Sequence, residues 1–369
     1  MIESGIGLVA GAPIEEILAC AYTIPTDGHE SDGTLEWDAT TIVVVEIEAA
    51  GETGIGWTYG PAAVAHLIDE LLAPAVSGSG AYEIGGAHLA MRHALRNAGV
   101  AGTGSMAISA VDVALWDLKA RLLGVSVAAL LPQAHREVPI YGSGGFCSYP
   151  IGRLVEQLEE WVESGIPRVK MKVGRDPDSD VLRVLAARRA IGDAADLYVD
   201  ANGAFTTKQA LRFADDYAEL GVSWFEEPVS SLDVDGLCLL RDRAPAGMDI
   251  AAGEYAATLG DFVELAKCVD CLQADVTRCG GITGLLAAAS IAEANELDLS
   301  GHTAPTIHAH ALCAVPKLRH LEWFHDHVRI EQMLFDGFLE PTGGVVKPDL
   351  SRPGLGVEFK RADARRYAD

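Results

Sequence analysis

From about residue 137 the chain repeats one unit: a short β-type run, an amphipathic helical stretch, then another β-type run. Eight runs stand in order: Val138–Ser143, Arg168–Val173, Asp196–Asp200, Val222–Glu226, Asp249–Glu254, Asp270–Asp275, Asp298–His302 and Arg319–Trp323. The stretches between them carry helix punctuation. Pro150 opens the first and Gly165 closes it; Thr206-Thr-Lys-Gln209 reads as a capping box, with Gly221 at the far end. Strands alternating with helices pair in parallel, because each helix returns the chain to the same end of the sheet. Eight such units predict an α/β fold closed as a (β/α)8-type barrel. An open doubly wound sheet is the competing fold, but no Gly-rich phosphate turn follows the first run.

The flanks read differently. Thr41-Ile-Val-Val-Val-Glu-Ile-Glu48 is a strand, residues 62–72 and 86–97 are helices, and Met106–Leu123 is a long helix stopped by Gly124. This predicts an α+β domain over residues 1–125, a barrel over 137–335, and a Gly- and Pro-rich segment over 336–369 that packs back on the first domain. The formal net charge of −25 repels phosphate backbones and anionic lipid, so nucleic acid and membrane partners are not expected. No apolar run is long enough to span a bilayer, and the opening segment from Met1 lacks the basic lead of a signal peptide. Seven cysteines leave one over from any pairwise framework, which favours a reducing, cytoplasmic setting; Cys268-Val-Asp-Cys271 reads as structural rather than redox or zinc-binding.

In a parallel barrel the functional side chains stand at the carboxyl ends of the strands. Here those ends carry Lys172, Asp200, Glu226, Glu254, Asp275, His302 and Glu322. From Asp200 onward the gaps are 26, 28, 21, 27 and 20 residues, so each falls on its own strand. One acidic residue among 53 signifies little. Asp200, Glu226 and Glu254 on three successive strands signify more, because crowded carboxylates repel one another unless a cation neutralises them. An all-oxygen set suits a hard ion such as magnesium, which keeps positions open for water or substrate.

Lys170 and Lys172 lie two apart on one strand and share a face. Val169, Met171 and Val173 take the helix-facing side, so both lysines point into the barrel. A lysine beside a bound cation should have its pKa lowered and act as a base. Asp275 and His302 end consecutive strands; a carboxylate on one imidazole nitrogen fixes the tautomer and leaves the other nitrogen as a base. Lys172 and His302 therefore approach from opposite sides of the metal ligands. A substrate carboxylate on the metal places its α-carbon between two bases, and loss of the α-proton gives an enediolate stabilised by the metal and Lys170. Glu322, if protonated, donates to the far carboxylate oxygen.

At these residues the chain resembles the enolase superfamily and, within it, the mandelate racemase subgroup. The markers are Lys170-Met-Lys172, Val199-Asp-Ala-Asn202, Phe225-Glu-Glu-Pro228, Gly253-Glu254, Asp275-Val-Thr-Arg-Cys-Gly-Gly-Ile282, His302 and His320-Leu-Glu322, and the match covers nearly the whole chain. The resemblance implies a (β/α)7β TIM-like barrel with an α+β capping domain formed by the N-terminal region and the C-terminal tail. It implies magnesium on Asp200, Glu226 and Glu254, with Glu227 outside that set. It implies Lys172 and the Asp275–His302 pair as bases, Lys170 and Glu322 as electrophilic helpers, and Ser143 and Asn202 as substrate contacts. It also implies a homo-oligomer. The muconate-cycloisomerase subgroup has a lysine at the strand end where Asp275 stands, which disfavours that branch.

The same first step serves racemisation, dehydration and cycloisomerisation. The polar segment Thr26-Asp-Gly-His-Glu-Ser-Asp-Gly-Thr34 suits a polyol better than a phenyl group. Members of the subgroup that keep every site residue are often sugar-acid dehydratases, so the resemblance, together with this segment, implies dehydration of a sugar acid to a 2-keto-3-deoxy acid, with a racemase or epimerase of an α-substituted carboxylic acid as the alternative. Two other classes stand further off. A zinc hydrolase is suggested by His308-x-His310 and His325-x-His327, but Tyr141-Gly-Ser143 stands where such a barrel places its first H-x-H. A non-catalytic binding protein on this fold would lack a site residue, and none is missing.

Overall fold

A computed structural model describes residues 11–369, so the opening segment from Met1 lies outside the described residues. The N-terminal part begins with strands β1 (Glu16–Ser31), β2 (Glu36–Ala49) and β3 (Glu52–Tyr59), paired antiparallel in the order β1-β2-β3. Helix α1 (Ala63–Leu67) runs through a π-helical turn, Ile68–Leu72, into α2 (Ala73–Val76); α3 (Ile84–Ala94), α4 (Thr103–Leu122) and α5 (Val127–Leu130) follow. Helix α4 lies against the sheet at close range. A Cβ on Gly54 would stand 2.3 Å from the Ala114 carbonyl oxygen, and one on Gly56 equally near that of Ala110. The sheet and α4 enclose a core that includes Val43, Val45, Ile47, Ile108 and Leu115.

The barrel follows. Its eight strands are β4 (Val138–Gly144), β5 (Arg168–Lys172), β6 (Asp196–Asp200), β7 (Val222–Glu226), β8 (Asp249–Ala252), β9 (Cys271–Ala274), β10 (Asp298–Gly301) and β11 (Leu318–Phe324). They pair in parallel in chain order, and β11 closes on β4. Each strand is followed by a helix: α6 (Ile151–Glu163), α7 (Pro177–Ile191), α8 (Thr207–Glu219), α9 (Val234–Arg243), α10 (Leu259–Leu265), α11 (Gly281–Ala294), α12 (Pro305–Ala311) and α13 (His325–Leu334). The expected punctuation is present: Thr206 and Gln209 form a reciprocal capping box, Pro150 caps α6, and Gly165 and Gly221 take φ of +92° and +73°.

Inside the barrel, side chains alternate in level along each strand. Tyr141, Tyr198, Trp224, Ala251 and Cys271 form a separate buried cluster, joined by His320 against the Tyr141 and Trp224 rings. One step further along their strands stand Ser143, Asp200, Glu226 and Glu322, with Lys172 of β5 beside Asp200. The cluster is a floor and the polar level lies above it.

The tail returns to the first domain. Strand β13 (Val345–Val346) pairs antiparallel with the start of β4, and β14 (Glu358–Phe359) pairs with β12 (Phe335–Asp336). Asp117 in α4 accepts the Leu355 N–H at 2.6 Å, and Asp369 N–H reaches the Ala21 carbonyl at 3.2 Å. One difference concerns the cysteines: Cys238 and Cys268 are joined in a disulfide, while Cys271 stays free and buried. The odd count argued against pairing; packing α9 beside the end of α10 brings these two sulfurs together. No described helix is long and apolar enough to cross a membrane.

Candidate active site

Parallel register brings the strand-end residues to one level. Lys172 pairs with Asp200 across β5 and β6, and Asp200 with Glu226 across β6 and β7. Glu254 stands two residues beyond β8, held by Gly253 at φ +139°, where a Cβ would lie 2.1 Å from the Gln273 carbonyl oxygen. Asp275 and His302 follow β9 and β10 directly, and Ser143 and Glu322 sit on the adjacent β4 and β11. Beyond the strands the backbone is strained: Asn202, Glu227, Thr303 and Ala304 all take positive φ. Such conformations persist only where surrounding structure imposes them.

Asp200, Glu226 and Glu254 are buried, and each offers an oxygen within 4.8 Å of the others. Two lysines meet them from one side. Lys170 Nζ lies 2.5 Å from Glu226, 2.8 Å from Glu322 and 3.3 Å from Asp200; Lys172 Nζ lies 2.5 Å from Asp200. On the other side His302 Nδ1 is 2.8 Å from Asp275, while its Nε2 faces Glu254 at 2.9 Å and Glu322 at 3.5 Å. Asp275 is itself fixed, accepting 2.7 Å bonds from the Thr277 N–H and hydroxyl. Ser143 donates to Glu322 at 2.5 Å, and the Asn202 N–H donates to Asp200 at 2.9 Å.

The electrostatics of the site follow from its crowded carboxyl groups. Burial alone would lower the lysine pKa values, but the carboxylates of Glu226 and Glu322 raise Lys170, and that of Asp200 raises Lys172. Here the ammonium ions themselves neutralise the carboxylates; a cation on the triad would take over that role and free a lysine to lose its proton. Glu322 is held below its ordinary range, since Lys170 and His302 outweigh its burial, which disfavours the protonated form in which it would donate to a substrate carboxylate. Burial pushes His302 down, yet Glu254, Glu322 and the bond to Asp275 raise it to about 10. Burial and the neighbouring carboxylate of Asp200 push Glu226 up to about 8. Burial and the charges of Glu254, Asp200 and Glu226 likewise push the Glu227 carboxyl well above its ordinary range, and its Oε1 has no hydrogen-bond partner.

The site as a whole is short of positive charge. Five carboxyl groups (Asp200, Glu226, Glu254, Asp275 and Glu322) face Lys170, Lys172, Arg278 and His302, so negative charge exceeds positive by one with His302 protonated and by two with it neutral, and the rise of Glu226 to about 8 is a proton making up that shortfall. A divalent cation closes that difference, and Glu322 Oε2 is buried without a hydrogen-bond partner. Hard oxygen donors at this separation fit magnesium.

Some residues in the site were not singled out from sequence. Arg278 bridges Glu254 at 3.5 Å and Asp275 at 3.4 Å and lies over the Tyr255 ring. It stands within the Asp275–Ile282 motif, so a signal was present. The cleft above the carboxylates has a volume of about 480 Å³, and its far wall comes from the first domain: Asp32, Glu36, Trp37, Thr40, Thr41 and Tyr59. Of the polar segment Thr26–Thr34 only Asp32 lines it; Glu30 and Ser31 are buried elsewhere. The His308-x-His310 pair is engaged by the backbone, while His325 stands apart with Asp27 and Glu30, their ligand atoms within 4.8 Å of one another. His308 bonds the Thr303 carbonyl and the Val276 N–H, and His310 accepts the Ala128 N–H.

A sequence model described as "Enolase C-terminal domain-like" matches residues 153–364, and one described as "Mandelate racemase / muconate lactonizing enzyme, N-terminal domain" matches residues 31–132. The chain is 33% identical over 94% of its length to a 3,6-anhydro-alpha-L-galactonate cycloisomerase from Streptomyces coelicolor, 98% of which is covered. Its structure superposes with TM-score 0.96 on a mandelate racemase/muconate lactonizing enzyme-like protein from Rubrobacter xylanophilus, at 56% identity, covering 97% of this chain and all of that one. It superposes with TM-score 0.90 on L-talarate/galactarate dehydratase from Salmonella typhimurium liganded with magnesium and L-lyxarohydroxamate, at 28% identity, covering 98% and 94% of the two chains.

Proposed function

The chain belongs to the mandelate racemase/muconate lactonizing enzyme family of the magnesium-dependent enolase superfamily, and from that premise we propose that it dehydrates a sugar acid to a 2-keto-3-deoxy acid. The observation that carries the reading is a buried carboxylate triad flanked by Lys172 on one side and an Asp275-bonded His302 on the other. Asp200, Glu226 and Glu254 would hold magnesium. When bound, the metal supplies charge that neutralises this triad and offsets the negative charge developing on the substrate carboxylate.

Lys172 on β5 and His302 after β10 stand on well-separated strands around the ring, so they reach the α-carbon from opposite faces. One removes the α-proton. His302, its tautomer fixed by Asp275, then gives a proton to the departing β-hydroxyl; water leaves, and the enol rearranges to the keto acid. Lys170 stabilises the enediolate charge. Glu322, held by Lys170 and Ser143, positions the lysine and borders the carboxylate pocket. Ser143 and Asn202 complete the contacts near the substrate head. Arg278 orients Glu254 and Asp275.

Dehydration fits the polar far wall, where Asp32, Thr40 and Thr41 suit hydroxyl groups. The cycloisomerase relative favours a second reading, in which the same enediolate opens or closes a ring instead of losing water. A panel of aldonic, aldaric and anhydro-sugar acids, with magnesium, separates these outcomes. A 2-keto-3-deoxy product supports dehydration and a ring-isomerised acid supports the second reading. Exchange of the α-proton in deuterated water with no new product points to racemisation. No exchange with any acid refutes the proposal.

A further inference from the structure

The charge of the cleft divides along its depth. Its cations lie at the barrel end, and its capping side carries two carboxylates, Asp32 and Glu36. Every cation on or beside the wall is already engaged. Lys172 is held by Asp200 at 2.5 Å, and Arg278 lies between Glu254 and Asp275. Arg175, at the rim, is held by Glu36 at 2.6 Å. Asp32 is 7% exposed and fixed by the Thr34 and Leu35 N–H groups, both 2.6 Å from its Oδ1, so its carboxylate cannot swing away. The other groups of that wall are neutral. The Tyr59 hydroxyl is spent on Glu331 and the Trp37 N–H on Glu30, which leaves ring faces and threonine oxygens toward the cleft.

We propose that this cleft selects monocarboxylic sugar acids with an uncharged distal end, and discriminates against aldarates, through the carboxylates of Asp32 and Glu36. The inference rests on the reading of the site as one for sugar acids. The head carboxylate goes to the deep, cationic end. A distal hydroxymethyl group meets carboxylate acceptors to which it can donate. A distal carboxylate meets the Asp32 carboxylate, which has no cationic partner among the described residues, beside a Glu36 already paired with Arg175, and a like-charge contact of that kind weakens binding by about tenfold or more.

The test uses configurationally matched pairs that differ only at the last carbon: D-gluconate with D-glucarate, and D-galactonate with galactarate. Turnover and calorimetric binding are both measured with magnesium present. The expected result is a kcat/KM and an affinity at least about tenfold in favour of the aldonate of a pair. The double variant Asp32→Asn, Glu36→Gln removes both charges and releases Arg175, so it should narrow the aldonate-to-aldarate ratio by about three- to tenfold. An aldarate that binds or turns over as well as its aldonate overturns the proposal, as does a variant that leaves the ratio unmoved. If no acid is turned over or exchanges its α-proton, the reaction proposed above has failed. The binding ratio still decides the charge preference, and an aldonate that does not bind overturns it.

Discussion

Lys172 and His302 present their nitrogens to the same cleft, but each is tied to a different carboxylate, Asp200 and Glu254. Replacing Lys172 by Ala or His302 by Asn should lower kcat by about a hundred- to ten-thousandfold, the usual loss when a positioned proton carrier is removed. α-Proton exchange in deuterated water, measured on both epimers, should be lost for one epimer in each variant; retention of both would remove the two-base assignment. The site residues were legible because a barrel turns linear spacing into position: one chemically marked residue per β/α unit puts all of them at one mouth. Asp32 lay in the polar segment expected to face the substrate, but Trp37 and Tyr59 were not legible as cleft residues. Nothing in their spacing refers to the barrel, and only the packing of one domain on the other brings them there. The balance of lysine protonation was not legible, because it depends on four carboxylates at distances that sequence does not supply.

Helix α4 of the first domain clamps the start of barrel helix α11. Ser109 Oγ accepts the N–H groups of Gly280 and Gly281, and Asp112 accepts both the N–H and the hydroxyl of Thr283, at 3.0 and 2.6 Å. The helix thus borrows its N-terminal cap from another domain. Burial pushes the Asp112 carboxyl up to about 7 against the pull of these bonds, while an unfolded aspartate titrates near about 3.9. The folded chain therefore keeps a proton that the unfolded chain has lost. The resulting stabilisation is complete below about pH 4 and is lost as pH rises through 7. Urea unfolding at pH 5 and pH 8 should show the wild type weakening with pH, and Asp112→Asn should flatten that slope; an unchanged slope would place the effect elsewhere. At this scale the barrel strands were readable, since buried parallel strands are short apolar runs between helix stops. Strands β1 and β3 were not. β1 contains Pro25, Gly28 and Asp27, which read locally as a turn, and it is a strand only because β2 pairs along it across a register shift between Pro25 and Glu30. The π-helical turn after α1 likewise has no signal at the level of helical periodicity.

Across the whole molecule, two domains and a returning tail surround a buried site that lacks positive charge. A ligand that binds only the folded chain stabilises it, by about 2.7 kcal/mol at a hundredfold excess over its Kd. Added magnesium should therefore raise the melting temperature, EDTA should reverse the rise and abolish turnover, and Asp200→Asn should remove the shift; a melting curve indifferent to the metal would refute the assignment of the triad. The aromatic floor of Tyr141, Tyr198, Trp224 and His320 has a further consequence. It makes the barrel a blind alley, with traffic through one door. Asp200 and Glu226 lie behind the cleft wall, whereas Lys172, Glu254 and His302 line it. Whatever occupies the innermost berth must arrive first and leave last. Metal should load before acid, and a saturating unreactive acid should slow the escape of magnesium to a chelator, as stopped-flow mixing would record. Equal escape rates with and without the acid would show a back exit.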